Sequence, residues 1–178
     1  MKALDNKANL VSAYNRSARV LMLYDVHSTY TATVTDYLKA FSLYSKYTFD
    51  FVHSTANAEH VFDYDDYQLV VIHYSVRLCF SDHVNKSVEQ KLINYKGPKF
   101  LIVQDEYQNT EELRKRILTL GINVVFTCVP EESIEIIYPR ERFKGVEFIT
   151  ILTGYVNEND KQYKYEPINE RPITLGYR

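Results

Sequence analysis

Five short stretches of this chain carry side chains able to move protons or bind hydroxyl groups. Asp25-Val-His27-Ser28-Thr29 sets a carboxylate two residues from an imidazole and beside two hydroxyls, and His73-Tyr74-Ser75 pairs a second imidazole with a hydroxyl. Gln104-Asp105-Glu106-Tyr107 contributes adjacent carboxylates, and Thr127-Cys128 and Thr153-Gly154-Tyr155 add further hydroxyls. An imidazole that titrates near neutrality can take a proton from an alcohol. His27 and His73 are therefore acid/base candidates. Asp105 and Glu106 are candidates for the same work, or for holding sugar hydroxyls, because a carboxylate accepts several hydrogen bonds. Asp25, Ser75, Tyr107, Thr127 and Thr153 are candidate substrate contacts. Ser28 and Thr29 open a hydroxyl-rich run to Thr33 that could cradle an anion or cofactor phosphate at a helix N-terminus. Each group also has a plainer reading: a histidine satisfying loop backbone, acids capping a helix, hydroxyls capping a helix.

Other patterns exclude chemistry. The first strand region lacks Gly-x-Gly-x-x-Gly, and no Gly-x-x-x-x-Gly-Lys-Ser/Thr occurs, which argues against dinucleotide and Walker-type sites. Asp63-Tyr64-Asp65-Asp66 precedes a strand and reads as a solvated turn, so no metal site is expected. His53 stands near the end of a strand in an uninformative loop, and His60 and His83 read as surface or capping residues. Arg114-Lys115-Arg116, beside Glu111 and Glu112, reads as a salt-bridged, solvated helix face.

The elements that must position these residues follow from apolar patterning. Residues 19–24, 68–73, 99–104 and 122–126 are continuous apolar runs of strand length, as in strands buried on both faces. Residues 47–52 alternate and suit a second strand, and 146–152 suit a sixth. Between them, 31–44 carries Val34, Tyr37, Leu38, Phe41 and Tyr44 at helical spacing. A helix capped by Ser81-Asp82 would run to Tyr95, another capped by Asn109 would end at Gly121, and Pro130-Glu131-Glu132 would start a short one ending before Pro139. Alternating strands and helices predict an α/β, Rossmann-like doubly wound parallel sheet of about six strands with helices on both faces. The expected strand order is 3-2-1-4-5-6, with ligands at the carboxyl ends of the strands. Residues 1–18 read as an extension, 19–154 as the Rossmann-like domain, and 155–178 as a linker and the start of a second, missing domain.

Length and composition agree with such a domain. The chain has 178 residues, 46% hydrophobic and 25% charged, and a net charge of −2, which argues against a general binder of nucleic-acid backbones. Cys79 and Cys128 are too few to staple a fold, and no apolar run reaches the ~20 residues of a membrane span. A cytoplasmic location is the expectation.

Val70-Val-Ile-His-Tyr-Ser75, Gln104-Asp-Glu-Tyr107, Val125-Phe-Thr-Cys-Val-Pro-Glu-Glu132, Leu152-Thr-Gly-Tyr-Val156 and Arg171-Pro-Ile-Thr-Leu-Gly-Tyr-Arg178 occur in that order. As a set, and over nearly the whole chain from Arg19, they resemble bacterial proteins similar to family-four-like glycosyltransferases of the two-domain GT-B architecture. The resemblance implies the N-terminal, acceptor-side half of such an enzyme. A sugar would pass from a nucleotide-sugar donor, held mainly by the other half, to an acceptor hydroxyl. It implies a glycan or lipid-linked acceptor, no metal or cofactor beyond the nucleotide-sugar co-substrate, no nucleic acid, and a peripheral membrane contact where the acceptor is lipid-linked. By this analogy His27, His73, Asp105 and Glu106 would line the acceptor crevice. Two other readings stand beside it: a non-catalytic Rossmann-like binding or regulatory module, and a flavodoxin-like cofactor binder using residues 28–33.

Overall fold

The computed structural model describes residues 18–152 apart from 56 and 82, together with 154, 167–170 and 172. The proposed extension, most of the linker, and Thr153 lie outside the described residues.

Six strands form one sheet: β1 (Arg19–Tyr24), β2 (Thr48–His53), β3 (Leu69–Ile72), β4 (Lys99–Ile102), β5 (Val124–Thr127) and β6 (Glu147–Thr150). All neighbours are parallel, in the order β2-β1-β3-β4-β5-β6. The α/β doubly wound class is as the sequence implies, but the order 3-2-1-4-5-6 is not. The physical reason lies in the strands themselves. Val20, Leu21, Met22 and Leu23 of β1 and Val70, Val71 and Ile72 of β3 are all buried, so both strands need a neighbour on each side. No residue of β2 is fully buried, and its Asp50 meets Arg19 at 2.6 Å across an exposed edge. A strand carrying that carboxylate belongs at an edge rather than between β1 and the third strand.

Helix α1 (Ala32–Tyr44) joins β1 to β2, α2 (Lys86–Asn94) joins β3 to β4, α3 (Thr110–Thr119) joins β4 to β5, and the single-turn α4 (Ile134–Ile137) precedes β6. The chain steps one way from β1 to β2 and the other way from β3 onward. Right-handed crossovers then put α1 on one face and the later helices on the other. The cores match this. Leu38, with Val34 and Phe41, packs on Val20, Met22 and Val71, whereas Val88, Leu92, Leu113 and Ile117 pack on Leu21, Ile72 and Leu101.

Local chemistry fixes the helix ends. Asn85, not Ser81 or Asp82, caps α2: its side chain accepts from the Ser87 N–H at 2.8 Å. The preceding segment is instead a series of turns, the Phe80 N–H donating to the Arg77 carbonyl and the His83 N–H to that of Phe80, with Thr55 bridging Val84. At the far end of α3, the Gly121 N–H donates to the Leu118 carbonyl and the Ile122 N–H to that of Ile117, with Gly121 at φ +64°. This is a Schellman termination, and Ile122 joins Ile117 in the core beneath it. Lys99 closes α2 from β4, its buried ammonium donating to the Leu92 and Tyr95 carbonyls. The basic run of α3 is more than a solvated face. Arg114 donates to the Ile137 carbonyl at 2.6 Å, and Arg116 pairs with Glu112 and with Glu89 of α2.

Ile117→Ala should destabilise the domain by about 2–5 kcal/mol, the range for emptying a fully buried aliphatic site. Gly121→Ala should cost about 1–2 kcal/mol through its left-handed backbone alone. Urea unfolding curves of the two variants check both values.

Candidate functional site

The sheet changes direction between β1 and β3, so their carboxyl ends flank a crevice where α/β folds take ligands. Asp25 stands at its floor, 5% exposed. Three groups donate to its carboxylate: Ser28 Oγ at 2.7 Å, Thr55 Oγ1 at 2.8 Å and the His27 N–H at 3.1 Å. Its own N–H donates to Ser75 Oγ at 3.0 Å. Burial pushes the carboxyl pKa up, but the Ser28, Thr55 and His27 hydrogen bonds and the neighbouring His83 outweigh it, and the net shift is downward. Asp25 is thus an ionised hub that holds the loops after β1, β2 and β3 together.

His73 lies beneath this hub rather than on its surface. It is fully buried, its ring 3.9 Å from that of Tyr74 and 5.5 Å from that of Tyr37 on α1. The Ser75 N–H reaches Nδ1 at 3.2 Å and Ser75 Oγ lies 2.8 Å from the same atom, so the ring proton belongs on Nε2. Nε2 is buried with no partner. Burial alone pushes the imidazole pKa down to about 4, so His73 is neutral at physiological pH.

His27 is brought to the crevice by the 3-10 turn Val26–Ser28, which Asp25 caps. Its exposed ring meets that of His53 edge-on at 5.3 Å. His53 reaches the site because β2 pairs with β1, setting it beside Tyr24 in register. The Val26 N–H donates to His53 Nδ1 at 3.2 Å, and that nitrogen lies 3.7 Å from Asp25 Oδ1. One potential ligand atom from each of Asp25, His27 and His53 falls within 4.8 Å of the others. The expected order also sets β2 beside β1, so the grouping did not depend on the misplaced strand; what hid it was the uninformative sequence of the loop around His53. Thr55 follows in the same loop and has no pattern in the sequence to mark it.

Glu106 and Thr127 form a second buried polar pair two strands away, about 10 Å at the usual strand spacing. The Thr127 hydroxyl donates to Glu106 Oε1 and accepts from the Val129 N–H at 3.1 Å. Thr110 Oγ1 donates to the Glu106 carbonyl, tying the pair to the start of α3. Asp105 and Tyr107 are exposed on the same loop. Between this loop region and the one after β3 runs an open groove of about 820 Å³, lined by Ser81, His83, Asn109, Thr110, Glu111 and Glu112.

The remaining sequence candidates have structural partners. Thr29 Oγ1 donates to the Val26 carbonyl at 2.6 Å, so it caps its own turn. Asp63 likewise accepts from the Asp65 N–H, as a solvated turn would have it. His60 is not on the surface: it is buried, with Tyr64 Oη at 2.6 Å from Nδ1 and the His53 carbonyl at 2.8 Å from Nε2. His83 is half-buried against the Ser75 carbonyl at 3.3 Å.

No protein-family model matches the chain, and searches of curated proteins and of solved structures return no match. Among the described residues, no helix is long and apolar enough to cross a membrane.

The His73 environment predicts an acid-sensitive fold. As pH falls below 6.5 the unfolded chain takes up a proton that the buried ring refuses until about pH 4. Stability should therefore decline across that window, by about 3 kcal/mol in all. His73→Gln should flatten this part of the stability–pH curve. In the wild type, NMR should show the His73 ring still neutral at pH 5.5.

Proposed function

We propose that this domain binds a polyhydroxylated acceptor and serves as the acceptor-side half of a nucleotide-sugar-dependent glycosyltransferase. The observation that carries the reading is the 820 Å³ groove at the carboxyl edge of the sheet. Its lining sets hydroxyl, amide, imidazole, carboxylate and ammonium groups beside the apolar surfaces of Cys79 and Phe80, a mixture suited to a sugar's hydroxyls and C–H faces. Its size falls within the range of small-ligand clefts, about 300–1,000 Å³. The motif series from Val70 to Glu132 supports the same reading by resemblance.

Glu106 is the better base in this scheme. A base must accept the acceptor's hydroxyl proton, and no described group donates to Glu106 Oε2 while Thr127 fixes Oε1. Neither Glu106 nor His73 lines the groove, but His73 has an N–H rather than a free lone pair on its outer nitrogen, so it suits a supporting role. The donor diphosphate would be held by another domain, as the resemblance implies.

Titration of the 178-residue protein with a panel of mono- and disaccharides, followed by amide NMR shifts, tests this. Shifts should concentrate in residues 81–83 and 105–112. Glu111→Ala, on the exposed groove wall, should weaken binding about tenfold, the loss expected for a charge-assisted hydrogen bond. A panel that leaves those residues unperturbed removes the saccharide reading.

A further inference from the structure

We infer that Asp25, His27 and His53 form a binding site for a divalent first-row transition metal of the zinc type. This goes beyond the saccharide reading and stands without it.

The inference starts from three side chains whose ligand atoms converge beside the end of β1. Because the Val26 N–H donates to His53 Nδ1, that nitrogen presents a lone pair rather than a proton. It lies 3.7 Å from Asp25 Oδ1, which is a lone-pair atom as well. Releasing the Val26 N–H from His53 Nδ1 would turn that lone pair over to an ion shared with the Asp25 carboxylate. Asp25 can supply one more bond: of its about four lone-pair positions, Thr55 and the His27 N–H take two on Oδ1 and Ser28 takes one on Oδ2, which leaves one on Oδ2. His27 supplies the third donor. Its ring nitrogens have no hydrogen-bond partner among the described residues, and its ring already stands edge-on to His53.

The dimensions fit. Metal–ligand bonds of about 2.0–2.2 Å put neighbouring donors about 3.0–3.4 Å apart around a tetrahedral or octahedral ion. The three donor atoms here lie within 4.8 Å of one another, with the closest described pair at 3.7 Å. A turn of the exposed His27 ring closes the wider spacing to it, and exchange of the 3.2 Å Val26–His53 hydrogen bond for a metal bond frees the His53 lone pair. The supporting shell is already built. Thr55 and Ser28 hold the carboxylate, as the outer partners of ligating carboxylates commonly do. Two imidazoles with one carboxylate select zinc, iron, cobalt or nickel over magnesium and calcium, which prefer all-oxygen cages. Three protein donors, one of them on an exposed turn, leave the ion open to water or an anionic oxygen from the solvent side.

Isothermal titration of the 178-residue protein with Zn²⁺, and with Co²⁺ as a spectroscopic probe, tests the site. One equivalent should bind, with no competition from an equal concentration of Mg²⁺. His27→Ala, a change on an exposed turn that leaves the core alone, should weaken Zn²⁺ binding at least tenfold, and His53→Ala should do the same. Bound Co²⁺ should show visible d–d bands without a thiolate charge-transfer band, since neither Cys79 nor Cys128 belongs to the cluster. Absence of binding, full-strength binding to His27→Ala, or a thiolate band would each overturn the assignment. Saccharide shifts in residues 81–83 and 105–112 are read separately, so either proposal can fail without the other.

Discussion

Asp25 is where the strand ends of this domain are made to agree. Its carboxylate takes hydrogen bonds from its own turn and from Thr55 after β2, while its backbone N–H reaches Ser75 after β3. Three loops that leave adjacent parallel strands would otherwise be independent. A buried carboxylate must be compensated, and here the compensation itself sets loop geometry. The position of His27 follows from it, while the β1–β2 register and the Val26 hydrogen bond bring His53 alongside. Ser75 passes the constraint inward, accepting from Asp25 and meeting His73 Nδ1, so the crevice floor and the buried imidazole form one network.

Much of the architecture was legible in the sequence because parallel strands buried on both faces leave a clear mark. The runs at 19–24, 68–73, 99–104 and 122–126 could hardly be anything but inner strands, and each became one. The helix at 31–44 was readable from its apolar stripe, and the end of α3 from Gly121. What did not read correctly was order. The alternation of β2, with Asp50 in its middle, already distinguished an edge strand from its continuous neighbours, and a reading that weighed it would have placed β3 beside β1.

The misplaced strand bears on the site through β3 alone. Candidate residues chosen by strand end, such as Asp25, Ser75, Glu106 and Thr127, do gather at the carboxyl edge, because the rule depends only on parallel strands. Which of them meet depends on adjacency, and it is β3 lying beside β1 that brings Ser75 to Asp25. Burial was the other hidden variable. His73 ends a strand just as His53 does, but β3 is central and β2 is peripheral. The first imidazole is sealed and neutral, while the second is partly open. Sequence type alone cannot separate those two fates. His60 shows the same limit: a polar residue in a loop became a core member because Tyr64 and the His53 carbonyl satisfied both ring nitrogens.

The strand order also bears on how the chain is made. β1 is flanked by β2 and β3, both complete by Ile72, and from there β4, β5 and β6 each pair with the strand synthesised just before. A chain emerging N-terminus first can therefore close a three-stranded nucleus early and then extend it outward, one strand at a time. No later strand has to be inserted between two that are already joined. Growth from a single advancing edge spares the nascent protein the rearrangement that an interior insertion would demand.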